Sequence, residues 1–522
     1  MKRNLYNLVL LSLIMISENL LAQAQKPVWD SFIEMRKEYR QGEIDDASLW
    51  NKLIDISASL DSLPSSQKSI ILQTQATVLQ IAGYPILSAI NAAQAIKTAP
   101  NPFDSELNRS WTILKEVTVA EPIQNLLESV AESLMKQSKL PEGFGSDWMY
   151  FQGNAFAKSN QNNLANNAYA QVKVTDRYFF PAKYQQAMLS LDAGQYDKAI
   201  TSLKAILFPT SQDLSSLSRQ ERSLISGDAN LALARIYYEQ KKFDLSMKHY
   251  RRVSRESSSF YDSLFEQSWA LFMAGYPNHA LGMLFSVRSP FFKEAFNPEA
   301  TMLASIIYYW MCRYNDSRNE LADFIENHQG PIKTLNEYLS RQNISDQSAY
   351  TLFENTVTGV SSEGLGMPRS LLMSAAQQDS LMHVRDQYAS VLSELQRLEI
   401  KGIFGEKDKI STPRGYLVNW AEDLKGDIGR KFIFELRDLK KEFERLNDQA
   451  QFLYVELLMS QKDQLLGKEL HSETKFNSVV SKENIAGWGK KTQVWATDDK
   501  LEYWQDELGY HIFRQPPLCN TK

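Results

Sequence analysis

Small and apolar residues recur through the middle of the chain with helical spacing. Small residues stand at Ala165, Ala199, Ser246, Ala280 and Ser317, separated by 34, 47, 34 and 37 positions. Each has another small residue twelve places earlier, at Gly153, Ala187, Ala234, Ser268 and Ser305. Four places after each anchor comes Tyr169, Leu203, Tyr250, Leu284 or Leu321, and seven places after it Val172, Ile206, Val253, Val287 or Phe324. Steps of four and seven lie on one helix face. Turn signals such as Ala193-Gly194-Gln195-Tyr196 and Ala274-Gly275-Tyr276-Pro277 separate the two halves of a segment, with Gly supplying the backbone freedom of a tight reversal. The pattern predicts helical hairpins whose small residues let the two helices approach closely. A weaker sixth copy carries Ala76, Gly83-Tyr84-Pro85, Ser88 and Ala95. The Ser-rich stretch Pro209 to Gln220 lengthens one step to 47 and is predicted to be a surface loop.

Further along, the apolar period changes. Leu381, Val384, Tyr388, Val391, Leu395 and Leu398 alternate steps of three and four, as do Leu436, Leu439, Phe443, Leu446, Ala450, Leu453 and Leu457. Both runs are coiled-coil seams. Gly402, Gly405, Pro413 and Gly415 break the chain between them, which predicts a long antiparallel hairpin, from about Leu371 to Leu466, projecting from the repeats as a separable arm. Beyond it cluster Trp488, Trp495, Tyr503, Trp504, Tyr510 and Phe513. So many large rings predict a small packed tail docked on the body.

The expected fold class is therefore all-α. Repeated hairpins form a superhelix, followed by a long antiparallel coiled-coil hairpin and a small aromatic-rich tail. The expected divisions are 1–24, 25–145 with a degenerate repeat, 146–328 with the clear repeats, 329–470 with the long hairpin, and 471–522. Only 22 Gly and 17 Pro among 522 residues fit a helical chain, and 43 % hydrophobic with 23 % charged residues is a globular balance.

The start of the chain changes the expected setting. Lys2 and Arg3 precede an apolar stretch from Leu8 to Ile16, and Ala22-Gln23-Ala24 is a small-x-small cleavage site. This reads as a signal peptide over 1–24. No later run approaches the roughly 18 apolar residues a membrane helix needs, so the mature chain is expected in the periplasm without a transmembrane segment. The formal charge is −5 and no basic block occurs, which argues against a nucleic-acid partner. Cys312 and Cys519 are the two cysteines. In an oxidising compartment they are expected to pair, pinning the tail across the last repeat.

The repeats resemble the tetratricopeptide family. Tyr184 to Leu207 stands close to its consensus in the alanine, Gly-x-Tyr and following alanine positions. Pro122 to Leu127, Phe144 to Trp148 and Tyr503 to Tyr510 are similar to stretches of bacterial cell-envelope members linked to gliding motility. In that family the inward-facing side chains come from the first helix of each hairpin. The resemblance therefore implies a partner-binding groove lined by Tyr150, Asn154, Tyr184, Met188, Arg235, Tyr238, Phe265, Trp269, Phe272, Tyr309 and Trp310. The part from Phe265 onward is aromatic, and the chain's own tail is the competing occupant there.

Catalytic signatures are missing from the sequence. The histidines, at 249, 279, 328, 383, 471 and 511, lack a second His or Cys at metal-ligand spacing. No His-Glu-x-x-His or Gly-x-Ser-x-Gly motif occurs, and Gly487 to Thr492 fails as a phosphate-binding loop because Asn484 and Lys491 occupy required positions. The acidic cluster Glu43 to Asp46 suits a helix N-terminus, where the dipole favours acids; Asp498-Asp499 is a second such cluster. These readings point to a non-catalytic periplasmic scaffold without cofactor or metal, holding other cell-envelope proteins in a complex of the motility type. The competing functions are a regulator or hydrolase acting on envelope polymers such as peptidoglycan, and a ligand-binding or secretion-gating module.

Overall fold

The computed structural model describes residues 28–135, 141, 143–208, 218–341, 344–360, 366–466 and 505–519, and every longer element among them is an α-helix. In chain order these are α1 (28–41), α2 (Asp46–Ser57), α3 (Ser65–Ile81), α4 (Pro85–Thr98), α5 (Asn108–Ala120), α6 (Gln124–Ser133), α7 (Asp147–Lys158) and α8 (Asn162–Ala170). They continue with α9 (Phe179–Asp192), α10 (Tyr196–Leu207), α11 (Arg219–Glu239), α12 (Phe243–Tyr250), α13 (Phe260–Met273) and α14 (Pro277–Val287). The last are α15 (Pro298–Trp310), α16 (Tyr314–Leu339), α17 (Asp346–Thr358), α18 (Arg369–Ala376), α19 (Asp379–Lys401) and α20 (Ser411–Leu465). The signal-peptide reading, most of the Pro209–Gln220 loop and the tail before Gln505 lie outside the described residues.

The small residues do what their spacing implies. Ala165, Ala199, Ser246, Ala280 and Ser317 are fully buried, each on the second helix of a hairpin. Their partners twelve residues back lie on the first helix. Serine adds a bond across the contact: Ser88 Oγ donates to the Ala76 carbonyl at 2.6 Å and Ser246 Oγ to the Ala234 carbonyl at 2.8 Å. Ser305 and Ser317 exchange hydroxyl-to-carbonyl bonds, both at 2.8 Å. A Cβ on Gly153 would run into the Tyr169 ring, so that hairpin requires glycine.

One regularity links all six hairpins, α3–α4, α7–α8, α9–α10, α11–α12, α13–α14 and α15–α16. Five residues before each small anchor the backbone is left-handed, at Gly83, Asn160, Gly194, Lys241, Gly275 and Cys312. Three of these are not glycine, and each accepts a conformation that costs a non-glycine residue roughly 1 kcal/mol because packing on both sides dictates the reversal. This is a helical-repeat fold.

The described chain forms two compact units, one drawn from 1–178 with 383–424 and the other from 179–382 with 425–522. In the first, Trp111, Phe144 and Trp148 pack edge-on, with centroids 5.1 to 5.7 Å apart. Phe144 and Trp148, which mark the envelope-protein resemblance, are therefore core residues. Asp45 is the N-cap of α2 and accepts from Ser48 N at 2.9 Å. The expected boundary at 328 falls inside α16, where Pro331 is accommodated within the helix. Pro413 and Gly415 lie within the first turns of α20 rather than in the break, because a proline in a first turn forfeits no intrahelical bond.

The long hairpin forms but is not a free arm. Within the first unit, α19 is anchored to the turn between α3 and α4. The Glu394 carboxylate, fully buried, accepts from Ile86 N at 2.9 Å and Leu87 N at 2.7 Å, and Tyr84 Oη donates to the Gly402 carbonyl at 2.6 Å. Pro85 opens α4, so Glu394 satisfies two of the N–H groups a helix start leaves unpaired. The seam on α19 accordingly differs from the expected one. Gln387 and Glu394 are buried where Tyr388 and Leu395 were expected.

Glu394 also sets a pH dependence. Burial pushes its carboxyl up to about 7 against the pull of the two N–H donors and Arg397, with Glu121 adding a smaller push upward. The native state thus keeps a proton that the unfolded chain releases near pH 4.5. Stability of the first unit should fall as pH rises from about 4.5 to 7, by at most about 3 kcal/mol, and level off above. Urea unfolding at pH 5 and pH 8 measures this. Glu394→Gln should flatten the difference, and an equal pH slope in the variant would assign the effect elsewhere.

Candidate interaction surface

In the second unit the first helices of the repeats, α9, α11, α13 and α15, present one face, and its two ends differ. On α9, Tyr184 and Met188 are half-buried against a cluster that includes Phe180, Leu203 and Leu233. On α11, Arg235 is exposed and bidentate with Glu266, at 2.6 Å from Nη2 and 2.9 Å from Nε. Tyr250 Oη donates to the same carboxylate at 3.0 Å. Hydrogen bonding to Glu266 outweighs burial and raises the guanidinium's proton affinity further. Tyr238 packs edge-on to Phe243 and against the core of α12–α15.

The later end is covered by α20. Phe443 stacks on Phe324 with centroids 5.4 Å apart, and Tyr309 Oη lies 3.4 Å from Ser460 Oγ. Arg445 faces Glu299 at 3.9 Å, and farther back Phe432 meets Phe353 edge-on at 5.6 Å. A Cβ on Gly429 would collide with the Asp346 carbonyl, so glycine there lets α20 lie directly on the start of α17. Phe265, Trp269 and Tyr309 are half-buried and Trp310 is exposed, whereas Phe272 is buried in the core and lines no groove. It sits one turn beyond Trp269, with the two ring centroids 6.4 Å apart. Tyr150 and Asn154 belong to the first unit. Tyr150 stacks on Tyr178 at 4.9 Å, and Asn154 accepts from Tyr169 Oη at 2.8 Å while donating to Glu128 at 2.9 Å.

The described tail takes another route. Residues 505–519 run along the second helix α14 and the turn before α16. Gly509 N donates to Ser286 Oγ at 2.9 Å, Phe513 N to the Asn278 carbonyl at 3.1 Å, and Leu518 N to the Met311 carbonyl at 2.8 Å. Asn278 brackets Gln515 with both ends of its amide, at 3.1 and 3.0 Å. The close approach depends on Gly282, where a Cβ would overlap the His511 backbone. A disulfide joins Cys519 to Cys312, with Cα atoms 5.1 Å apart, inside the geometric limit of about 7 Å. The described tail, 505–519, therefore lies off the first-helix face, whose later end is covered by α20.

Between α20 and the first helices remains a cavity of about 580 Å³ lined by Asp262, Glu294, Glu299, Asp379 and Glu442, together with rings such as Phe265. Burial, and then Glu266, raises the Asp262 carboxyl; burial, and then Glu442, raises that of Glu299. The cavity's acids come from four helices and the turn before α15, too scattered in sequence for any motif to reveal them. Three histidines, His249, His279 and His511, pack within the second unit. His249, bonded at 2.9 Å to Asn230, is pushed down to about 4 by burial, and His279 and His511 reach about 4 for the same reason.

The fold and this face define a helical-repeat protein. No protein-family model matches the chain, and no curated protein does. A solved structure described as "Circular tandem repeat protein with novel repeat topology and enhanced subunit contact surfaces" aligns over 81 % of this chain and 93 % of its own at 12 % identity, with a TM-score of 0.14. At that score the likeness carries no weight. Among the described residues, no helix is long and apolar enough to cross a membrane.

Proposed function

We propose that this chain is a non-catalytic interaction scaffold of tetratricopeptide type, exported to the periplasm, that holds other cell-envelope proteins in a complex such as those serving gliding motility. The observation that supports it is the succession of four hairpins in the second unit, α9–α10 to α15–α16, with a shared left-handed turn, whose first helices present an extended side-chain surface. The partner surface is the early end of the first-helix face, at Tyr184, Met188 and Arg235, since the contacts of α20 fall on α15 to α17.

Arg235→Gln should weaken copurification of envelope partners about tenfold, as loss of a central contact does, while stability shifts by roughly 1 kcal/mol or less because the pair with Glu266 is partly exposed. Tyr238 and Met188 are unsuited to this test because both pack against the core. Unchanged copurification would remove the early face from the reading. The acid-lined cavity is where a hydrolase would work. Release of soluble fragments from purified peptidoglycan, abolished by Glu299→Gln, would replace the scaffold reading with an enzymatic one.

A further inference from the structure

The C-terminal half of α20 is apolar on two opposite faces. Its inner seam, Leu446, Ala450, Leu453 and Leu457, is buried. Half a turn away lies a second seam. Phe452 is 74 % exposed, Val455 54 %, Met459 63 % and Leu466 61 %, with Leu458 beside them. Steps of three, four and seven put these residues on one stripe, and their combined apolar surface is on the order of several hundred Å², the size at which exposed patches mark interaction sites.

Charged residues within the stripe specify the occupant. Asp448 and Lys462 stand on the same face, seven residues before and seven after Val455, and both are exposed. A parallel, in-register copy would set Asp448 against Asp448 and Lys462 against Lys462. An antiparallel copy crossing at Val455 sets each Asp448 against a Lys462, twice, and lays Phe452 over Leu458 on both sides of a central Val455 pair. Unlike charges at such positions choose orientation, and like charges exclude the alternative.

We infer that the outer stripe of α20 binds a second copy of this chain, in an antiparallel helix pair with its two-fold axis at Val455. The contact is isologous and closes at two copies. It uses the face of α20 opposite the repeats, so it stands independently of the proposed partner surface.

Sedimentation of the purified chain across a concentration series should show a monomer–dimer equilibrium that Val455→Glu weakens at least about tenfold by placing two carboxylates together on the axis. Asp448→Lys should weaken it about tenfold through the two lost pairs, and Asp448→Lys with Lys462→Asp should restore it. Because Cys312 and Cys519 are joined to each other, Val455→Cys adds a single thiol. Mild oxidation with copper phenanthroline should give a covalent dimer, whereas Asp448→Cys should not, its two thiols lying about 21 Å apart along the pair. A monomer at all concentrations, a dimer indifferent to Val455→Glu, or crosslinking through Asp448→Cys would each overturn the assignment.

Discussion

Leu446→Lys is expected to destabilise the second unit by about 3 to 5 kcal/mol, opening its later repeats to protease along with α20. Leu446 is 1 % exposed. The substitution removes the transfer free energy of a buried leucine and forces an ammonium group toward an apolar contact, two of the costliest single changes available. The damage should spread because Phe443, one turn away, stacks on Phe324 of α16. Gln449→Lys, on the exposed side of the same helix, is the control and should stay within about 0.5 kcal/mol. Urea unfolding and limited proteolysis distinguish the outcomes. If repeats through α16 resist protease while α20 is cleaved, α20 is an arm after all.

Removing the disulfide should have the next largest effect. The bond spans 207 residues, and the chain-entropy relation gives roughly 5 kcal/mol for a loop of that length, a figure that structure in the unfolded chain reduces. Cys312→Ser with Cys519→Ser is expected to cost about 2 to 5 kcal/mol, measured by thermal melting of the oxidised chain against the variant. The backbone bonds to Asn278, Ser286 and Met311 persist without the crosslink, so the tail should still dock but open more often. Amide exchange of residues 505–519 should therefore accelerate in the variant while α14 stays protected. Unchanged exchange in the tail would show that those bonds alone retain it.

The sequence by itself determined the hairpins. Their small contact residues, apolar steps and turn signals are local, and each follows from the period of a helix and the close approach of two helices within some twenty residues. The second-helix anchors, the inner seam of α20 and the N-cap at Asp45 were legible for that reason. The left-handed turn at Asn160, Lys241 and Cys312 was hidden, since these residues lack the glycine that signals it, but its place five residues before every anchor was a usable clue.

Tertiary structure decided what covers what. A seam on a helix states that something packs there, without naming the partner, so α20 read equally well as half of a free hairpin. That it lies over α15 to α17 depends on Glu299, Phe324 and Asp346, which are distant in sequence from α20 and carry no shared pattern. Glu394 stands one place before the expected seam residue Leu395; only the N–H groups of Ile86 and Leu87, more than three hundred residues away, make its burial tolerable. The acid-lined cavity and the tail's route along α14 have the same origin. Periodicity fixes which face of an element is buried, because that is set within a few turns, whereas the choice among apolar faces depends on shape and polar complementarity between segments the chain brings together only on folding.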